Sequence, residues 1–208
     1  MDLIIAFATL AVVHLAAVIS PGPSFVVCAR GALSSGRAAG ILIAIGMAVG
    51  TFAWAVAALV GLAVVFEQAQ WLYHTLRIAG GLFLIYIAVQ AWRHAADPID
   101  VADTAAGQAA LGAVAAFRLG LLTQLANPKV AIFFASIFLA VLPAGIGWTG
   151  KGIALAIVTL NEFVWYTVVA IALSAHRPRA VYISYKTHIE RVLAVVLGLI
   201  GVRIAADG

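Results

Sequence analysis

Long apolar runs alternate with short polar segments along the whole chain, and each run is about as long as a lipid bilayer is thick. A helix rises 1.5 Å per residue, so about 20 apolar residues cross a hydrocarbon core about 30 Å thick. The runs therefore predict six transmembrane helices, of which the sixth is the shortest. They extend from Leu3 to Ala29, from Ile41 to Phe66, from Trp71 to Trp92, from Leu119 to Leu142, from Gly152 to Ser174 and from His188 to Ala205.

The segment between the third and fourth runs has a different composition. Residues 95–110 contain three aspartates, a proline and small residues, without a periodic apolar face, and this pattern predicts a linker. We therefore expect a single transmembrane domain over residues 1–208, with repeat one at 1–94 and repeat two at 111–208. Because each half holds three spans, the second half enters the membrane from the opposite side. The predicted fold is an all-α membrane protein built from two inverted three-helix repeats.

The composition supports a membrane protein and excludes several other classes. Apolar residues make up 65% of the chain and charged residues only 10%, too few to cover a surface that faces water. The net charge of +4 comes from basic residues at helix ends rather than from a patch interleaved with aromatics, which argues against a nucleic-acid partner. Cys28, the single cysteine, excludes an intramolecular disulfide and a dithiol relay.

The positions of Lys and Arg predict the orientation, because basic residues accumulate in cytoplasmic loops. Eight of the twelve lie beside connections one, three and five, three lie on the opposite side, and Lys129 lies within a span. We therefore expect those odd-numbered connections in the cytoplasm and both termini outside. The eight are Arg30, Arg37, Arg93, Arg118, Arg177, Arg179, Lys186 and Arg191, and the three are Arg77, Lys151 and Arg203.

Proline motifs interrupt two of the predicted spans. Ser20-Pro21-Gly22-Pro23 lies in the first span and Asn127-Pro128-Lys129 in the fourth. In lipid, such a break leaves backbone groups that protein or a polar cavity must cover. Counted from Arg30 and Arg118, both breaks lie roughly 14 Å from the cytoplasmic surface, close to mid-membrane. Matching breaks in two halves are typical of secondary transporters, whose substrate site lies between interrupted helices.

Each break also has the pattern of a helix start. Proline is favoured in the first helical turn, and Ser20 or Asn127 before it can cap the new helix. The two restarting helices approach mid-membrane from opposite faces and present N–H groups and positive dipole ends. We therefore expect an anionic group, such as a substrate carboxylate, to bind between the breaks, where Gly22 leaves the backbone unshielded.

These motifs together resemble those of the LysE/RhtB family of bacterial amino-acid exporters. The resemblance implies a protein of the bacterial cytoplasmic membrane that expels amino acids or similar small metabolites, driven by the proton gradient. Family members often have Asn at the positions of Ser24 and Gln124, which are still hydrogen-bonding residues here. The residues that carry the resemblance are Ser20 to Pro23, Gly36 with Arg37 and Gly40, Gly120 to Thr123, and Asn127 to Ala131.

Ionisable residues inside the spans are costly to bury, so each is a functional candidate. Glu162 lies deep in the fifth span, where Asn161, Glu162, Trp165 and Tyr166 form one stripe along a helix. Our hypothesis is that Glu162 binds the substrate ammonium group or carries the coupled proton. The alternative is a structural ion pair with Lys129.

Two further ionisable side chains have alternative roles. Lys129 either contacts the substrate carboxylate, serves as an internal counter-ion, or extends along its helix. His14 either carries protons or makes one hydrogen bond as a neutral ring. The predicted substrate-binding residues are Ser20, Pro21, Gly22, Pro23, Ser24, Gln124, Asn127, Pro128, Lys129, Glu162, Trp165 and Tyr166, and the predicted proton-coupling residues are Glu162 and His14.

The remaining patterns limit function and partners. The scattered polar residues form neither a catalytic constellation nor a set of metal ligands, so we expect no enzyme activity, cofactor or bound metal. A metal-ion exporter of related architecture and a passive small-solute channel remain the alternative functions. The few buried charges favour a neutral amino acid over lysine or arginine as substrate. Gly46-x-x-x-Gly50 and Gly80-Gly81 permit close helix packing, within the chain or against a second copy in a homodimer.

Overall fold

The computed structural model describes residues 3–20, 22–68, 70–97, 111–143, 145–174 and 176–206, and every regular element in these ranges is a helix. Residues 98–110, most of the predicted linker, lie outside the described ranges. The helices are α1 (Leu3–Ile19), α2 (Pro23–Gln68), α3 (Gln70–Arg93), α4 (Ala113–Leu125), α5 (Pro128–Val141), α6 (Trp148–Leu173) and α7 (His176–Ala206).

Helix length and composition identify the membrane-crossing stretches. Within the described ranges, Pro23–Gly61 and Trp148–Leu173 are each long and apolar enough to cross a bilayer. Ala113–Leu125 and Lys129–Phe138 qualify as a third span if the two helices, bent by 56°, are taken together. Leu3–Ile19 and Gly81–Arg93 are apolar but shorter. An all-helical membrane fold is therefore confirmed, whereas six spans in inverted repeats remain a prediction.

The largest difference from the sequence prediction lies between the first two predicted spans. We expected a loop over residues 30–40, but α2 runs through them and folds back at Gly36, whose φ of 82° and ψ of 173° are non-helical. This backbone region is essentially restricted to glycine. The two arms then pack closely, since a Cβ on Gly40 would lie 2.8 Å from the Cβ of Ala32. The predicted loop is a helical hairpin that turns on one residue.

The largest other differences are the starts of two helices. α4 begins at Ala113 instead of Leu119, and α7 begins at His176 instead of His188. Arg118 separates the apolar start of α4 from the run that begins at Leu119. The first turn of α7 carries polar and basic residues, which lower the local hydropathy, and its proline is tolerated in a first helical turn. A prediction based on apolar runs therefore made these two helices too short.

Glycine faces bring neighbouring helices together. α2 packs against α4 and α6, α3 packs against α7, and α1 packs against α6. A Cβ on Gly46 would collide with the carbonyl oxygen of Phe117 on α4, so these helices approach backbone to backbone. A Cβ on Gly81 would lie 2.8 Å from the Gly201 carbonyl oxygen, and one on Gly201 would lie 2.8 Å from the Gly81 carbonyl oxygen. The glycine faces at Gly46 and Gly81 therefore pack against other helices of the same chain.

Large apolar side chains occupy both the interior and the outer surface. Phe25, Phe134 and Phe138 are fully buried. Outward-facing positions such as Leu160 and Leu199 are apolar and more than half exposed. A water-soluble protein rarely exposes an apolar surface of this extent, so the outer faces suit contact with lipid.

Candidate functional site

The two proline motifs lie against each other in the centre of the fold. α1 ends at Ile19 and α2 begins at Pro23, while α4 ends at Leu125 and α5 begins at Pro128. We call the described residues 20, 22–24 and 126–129 together the junction.

Side-chain contacts close the junction. The Asn127 Nδ2 donates to the Ser24 Oγ at 3.1 Å. A Cβ on Gly22 would lie 3.9 Å from the Lys129 Nζ. The two motifs therefore meet in space although about a hundred residues separate them in the chain.

The start of α5 is capped as its sequence predicts. Asn127 has extended backbone angles and its side-chain oxygen accepts from the Lys129 backbone N–H at 3.1 Å. The Asn127 carbonyl oxygen accepts from the Val130 N–H at 3.1 Å. In this conformation the first amides of α5 are thus occupied by the cap. At the start of α2 the Gly22 carbonyl accepts from Val26, so Gly22 rather than Ser20 holds the position before the helix.

Gln124, on α4, connects three helices through its amide group, because two of its partners lie on α2 and one on α6. Its Oε1 accepts from the Ser24 Oγ at 2.7 Å. Its Nε2 donates to the Thr51 Oγ1 and to the Glu162 Oε1, both at 2.7 Å. Gln124 is only 1% exposed, and the other three residues are also buried. A buried hydrogen-bond network through Gln124 therefore joins the junction to Thr51, farther along α2, and to Glu162 on α6.

Glu162 also faces a buried histidine. The His14 Nε2 lies 3.8 Å from the Glu162 Oε2, and both side chains are 3% exposed. The imidazole packs between Phe133 and Phe134, at ring-centroid distances of 5.6 and 5.5 Å. Its Nδ1 is buried without a hydrogen-bond partner. The pair thus combines a carboxylate and an imidazole in an apolar surrounding.

Lys129 extends from the first turn of α5 to the end of α1. Its Nζ donates to the backbone oxygens of Ala17 at 3.1 Å and Ser20 at 3.3 Å. These carbonyls lie at the negative end of the α1 dipole, where a cation is favoured. The ammonium group is therefore held by α1. Lys129 makes these contacts instead of the direct ion pair with Glu162 that the sequence left as an alternative.

A small cavity lies beside the junction, and we call it the inner cavity. Its volume is about 40 Å³, room for on the order of three water molecules and too small for an amino acid. Apolar and aromatic side chains alternate with the polar network along its wall. Its lining consists of His14, Ala17, Val18, Ser20, Gly22, Ser24, Gln124, Asn127, Lys129, Val130, Phe133, Phe134, Glu162 and Tyr166.

Most of the site residues predicted from sequence line this cavity, but some do not. Trp165 packs against the apolar cluster around Phe25 instead. Pro23 is exposed, and Asn161 donates to the Ala11 backbone oxygen at 2.9 Å. Pro21 lies outside the described residues, and the side chain of Pro128 is not described.

Two polar residues of this region were missed from the sequence. Thr51 is the only hydroxyl residue between Ile41 and Phe66, and a lone hydroxyl in an apolar span could have identified it. Glu190 is buried, at 3% exposure, in the first half of α7. It was not singled out from the sequence, because the sixth span was predicted to begin at His188 and Glu190 would then lie at the very end of that span.

A second and larger cavity adjoins the inner one, and we call it the side cavity. Its volume is about 620 Å³, and Ser20 and Lys129 line both cavities. On α3 the Gln90 Nε2 donates to the Tyr86 hydroxyl at 3.0 Å. The other lining residues are Phe83, Ile87, Ala91, His94, Ile132 and Glu190.

No group of three or more His, Cys, Asp or Glu side chains in the described ranges is arranged to hold a metal ion.

Comparison with known proteins gives relatives over most of the chain. The family model described as LysE type translocator matches residues 15–208. The threonine efflux proteins of Salmonella typhi and of Escherichia coli K12 are each 34% identical over 164 residues, covering 79% of this chain and 80% of theirs. An uncharacterized membrane protein of Escherichia coli K12, YahN, is 29% identical over 191 residues, covering 91% of this chain and 84% of its own.

No solved structure matches the chain. The family match extends over nearly the whole length and includes both proline motifs. It confirms the resemblance on which the sequence prediction relied. The chain belongs to the LysE/RhtB family of membrane translocators and is a transporter, not an enzyme.

Proposed function

We propose that the protein exports a small neutral amino acid, of which L-threonine is the model, from the bacterial cytoplasm through the inner membrane. The substrate passes through the junction. The family match and the threonine efflux relatives support an exporter of amino acids or similar small solutes. The observation that carries the proposal is the buried contact between the two proline motifs, Asn127 to Ser24, connected through Gln124 to Glu162.

The chemistry at the junction suits a zwitterion. Glu162 supplies a carboxylate that pairs with a substrate ammonium group, and Lys129 supplies an ammonium that pairs with a substrate carboxylate. Ser24, Gln124 and Asn127 add hydrogen bonds of both polarities. Among the described residues that line the inner cavity, Glu162 is the only carboxylate, so no second acidic group is present to pair with the side chain of a lysine or arginine substrate.

The architecture that we propose for transport has six spans in two inverted repeats. α1 with the first arm of α2 would form one interrupted span, and α4 with α5 the other. The reciprocal contact of Gly81 with Gly201, where α3 crosses α7, is what a two-fold axis in the membrane plane would produce. We keep the orientation predicted from the basic residues, with both termini outside.

Transport requires this conformation to change, because the inner cavity is too small for an amino acid. We infer an alternating-access cycle in which the inner cavity opens to one side at a time and the half-helices at the junction move. His14 and Glu162, 3.8 Å apart, would carry the proton that enters as substrate leaves. Proton binding by Glu162 would also free the substrate ammonium from its partner.

The experiment is counterflow in proteoliposomes. Labelled L-threonine, L-leucine, L-homoserine and L-lysine are offered with and without an imposed pH gradient. We expect wild-type protein to accumulate L-threonine against its gradient and L-lysine hardly at all. Glu162→Gln, which keeps the shape and removes the charge, should lose the response to the pH gradient. Lys151→Gln, on the same helix and stacked over Trp148 outside both cavities, is the matched control.

The outcomes distinguish the alternatives. A passive channel would only equilibrate the label. A metal-ion exporter would move none of the four amino acids. Full response to the pH gradient in Glu162→Gln would disprove the coupling role of Glu162.

A further inference from the structure

The side cavity differs from the inner cavity in size. At about 620 Å³ it falls in the range of roughly 300–1,000 Å³ that is typical of small-molecule sites, while the inner cavity holds only about 40 Å³. In the conformation described here, the side cavity is therefore large enough for an amino acid and the inner cavity is not.

The charges on the side cavity suit the same ligand class. Glu190, buried on α7, places a carboxylate in the wall, and Lys129 on α5 places an ammonium at the border with the inner cavity. A lysine ammonium has three donors, and Lys129 uses two of them on the carbonyls of Ala17 and Ser20. The remaining donor can meet a carboxylate. The side cavity is thus lined by an acidic and a basic side chain on two different helices, the two charges that a zwitterionic amino acid needs for its ammonium and carboxylate groups.

The side cavity also leads from the junction towards one membrane surface. Four of its lining residues, Phe83, Ile87, Gln90 and His94, are spaced three or four positions apart. The first three therefore lie on one face of α3, and His94 follows in the turn at its end. These positions extend over about 16 Å along the helix axis. Under the orientation predicted from the basic residues, the His94 end lies at the cytoplasmic surface. Lys129 and Ser20 line both cavities and therefore lie where the two adjoin.

We propose that the side cavity is a loading site for a zwitterionic amino acid, in which Glu190 pairs with the ammonium group and Lys129 with the carboxylate before the substrate moves to the junction. This inference rests on the proposed export function. Glu190 is a binding residue of the first, cytoplasmic-side step only. Glu162, in contrast, acts at the inner cavity beside the junction.

The test measures L-threonine export in inside-out proteoliposomes over a range of concentrations on the cytoplasmic face. Glu190→Gln keeps the side-chain shape and removes the charge. We expect the half-saturating L-threonine concentration to rise about tenfold, as the loss of one charged hydrogen bond predicts, with the rate at saturation nearly unchanged. Ile132→Trp, which fills the side cavity, should raise it as well. Arg191→Gln, the next residue on α7, faces Trp92 and serves as the control.

The results separate the two proposals. If wild-type protein moves no L-threonine, the export function and the loading site are both wrong. If wild-type protein exports L-threonine and both variants keep the wild-type half-saturating concentration, only the loading site is wrong. If Glu190→Gln lowers the saturating rate and leaves half-saturation unchanged, Glu190 acts in the cycle and not in loading.

Discussion

Replacing Gln124 by methionine tests the buried network at the junction. Gln124→Met keeps the unbranched stem, whose Cβ and Cγ pack tightly on Gly50, and removes only the amide group. The substitution leaves the buried groups of Ser24, Thr51 and Glu162 without their Gln124 partner.

The expected magnitude follows from these three hydrogen bonds. Side-chain hydrogen bonds in membrane proteins contribute about 0.6 kcal/mol each on average, so their loss lowers the free energy of unfolding by about 2 kcal/mol. The bond to a carboxylate lies at the stronger end of the range. A change of about 2 kcal/mol is about 25-fold in the unfolding equilibrium.

Reversible unfolding in mixed detergent micelles measures this change. Thr51→Val, a substitution of similar shape, removes one of the three bonds and should cost about 0.6 kcal/mol. The double variant should then be less destabilised than the sum of the single changes, because both remove the same Gln124–Thr51 bond. If Gln124→Met costs no more than Thr51→Val, the network does not stabilise the junction and our reasoning fails.

Three further predictions concern the backbone that carries the junction. Gly46→Ala adds a Cβ that would collide with the Phe117 carbonyl, and we expect it to abolish the yield of folded protein after detergent extraction and gel filtration. Gly61→Ala, which has open space around it, is the control and should keep the wild-type yield. Equal yields of the two variants would contradict the close packing of α2 on α4. Gly36→Ala should cost about 1–3 kcal/mol in unfolding free energy, since its backbone conformation excludes a Cβ, and a stabilising effect would contradict the turn. Asn127→Ala should cost about 1 kcal/mol by removing the cap of α5, and an unchanged unfolding midpoint would count against that cap.

The sequence predicted the positions of the helix ends at both proline motifs, because proline acts on its own backbone and its effect is local. The Asn127 cap was predictable for the same reason: the side chain bonds within two residues of itself. The family resemblance was equally accessible, since it depends on short motifs.

The partners of buried side chains could not be predicted in the same way. Lys129 bonds to α1 carbonyls rather than to Glu162, and an apolar pattern gives no information on which of several acceptors lies within reach. The fold-back at Gly36 was read as a loop, because the basic and small residues around it lower the hydropathy that marks a span. Cavities depend on how helices cross, which no single helix encodes.

Accessibility of position 24 tests most directly whether the junction is the path of the substrate. Ser24→Cys is combined with Cys28→Ala, and a small thiol reagent is applied from each face of proteoliposomes with and without saturating L-threonine. The account predicts labelling from both faces during turnover and slower labelling with L-threonine, whereas the thiol introduced by Ser136→Cys, buried further along α5, stays unreactive. Two results would contradict the account: no labelling of position 24 from either face, or a labelling rate that saturating L-threonine does not change although transport continues.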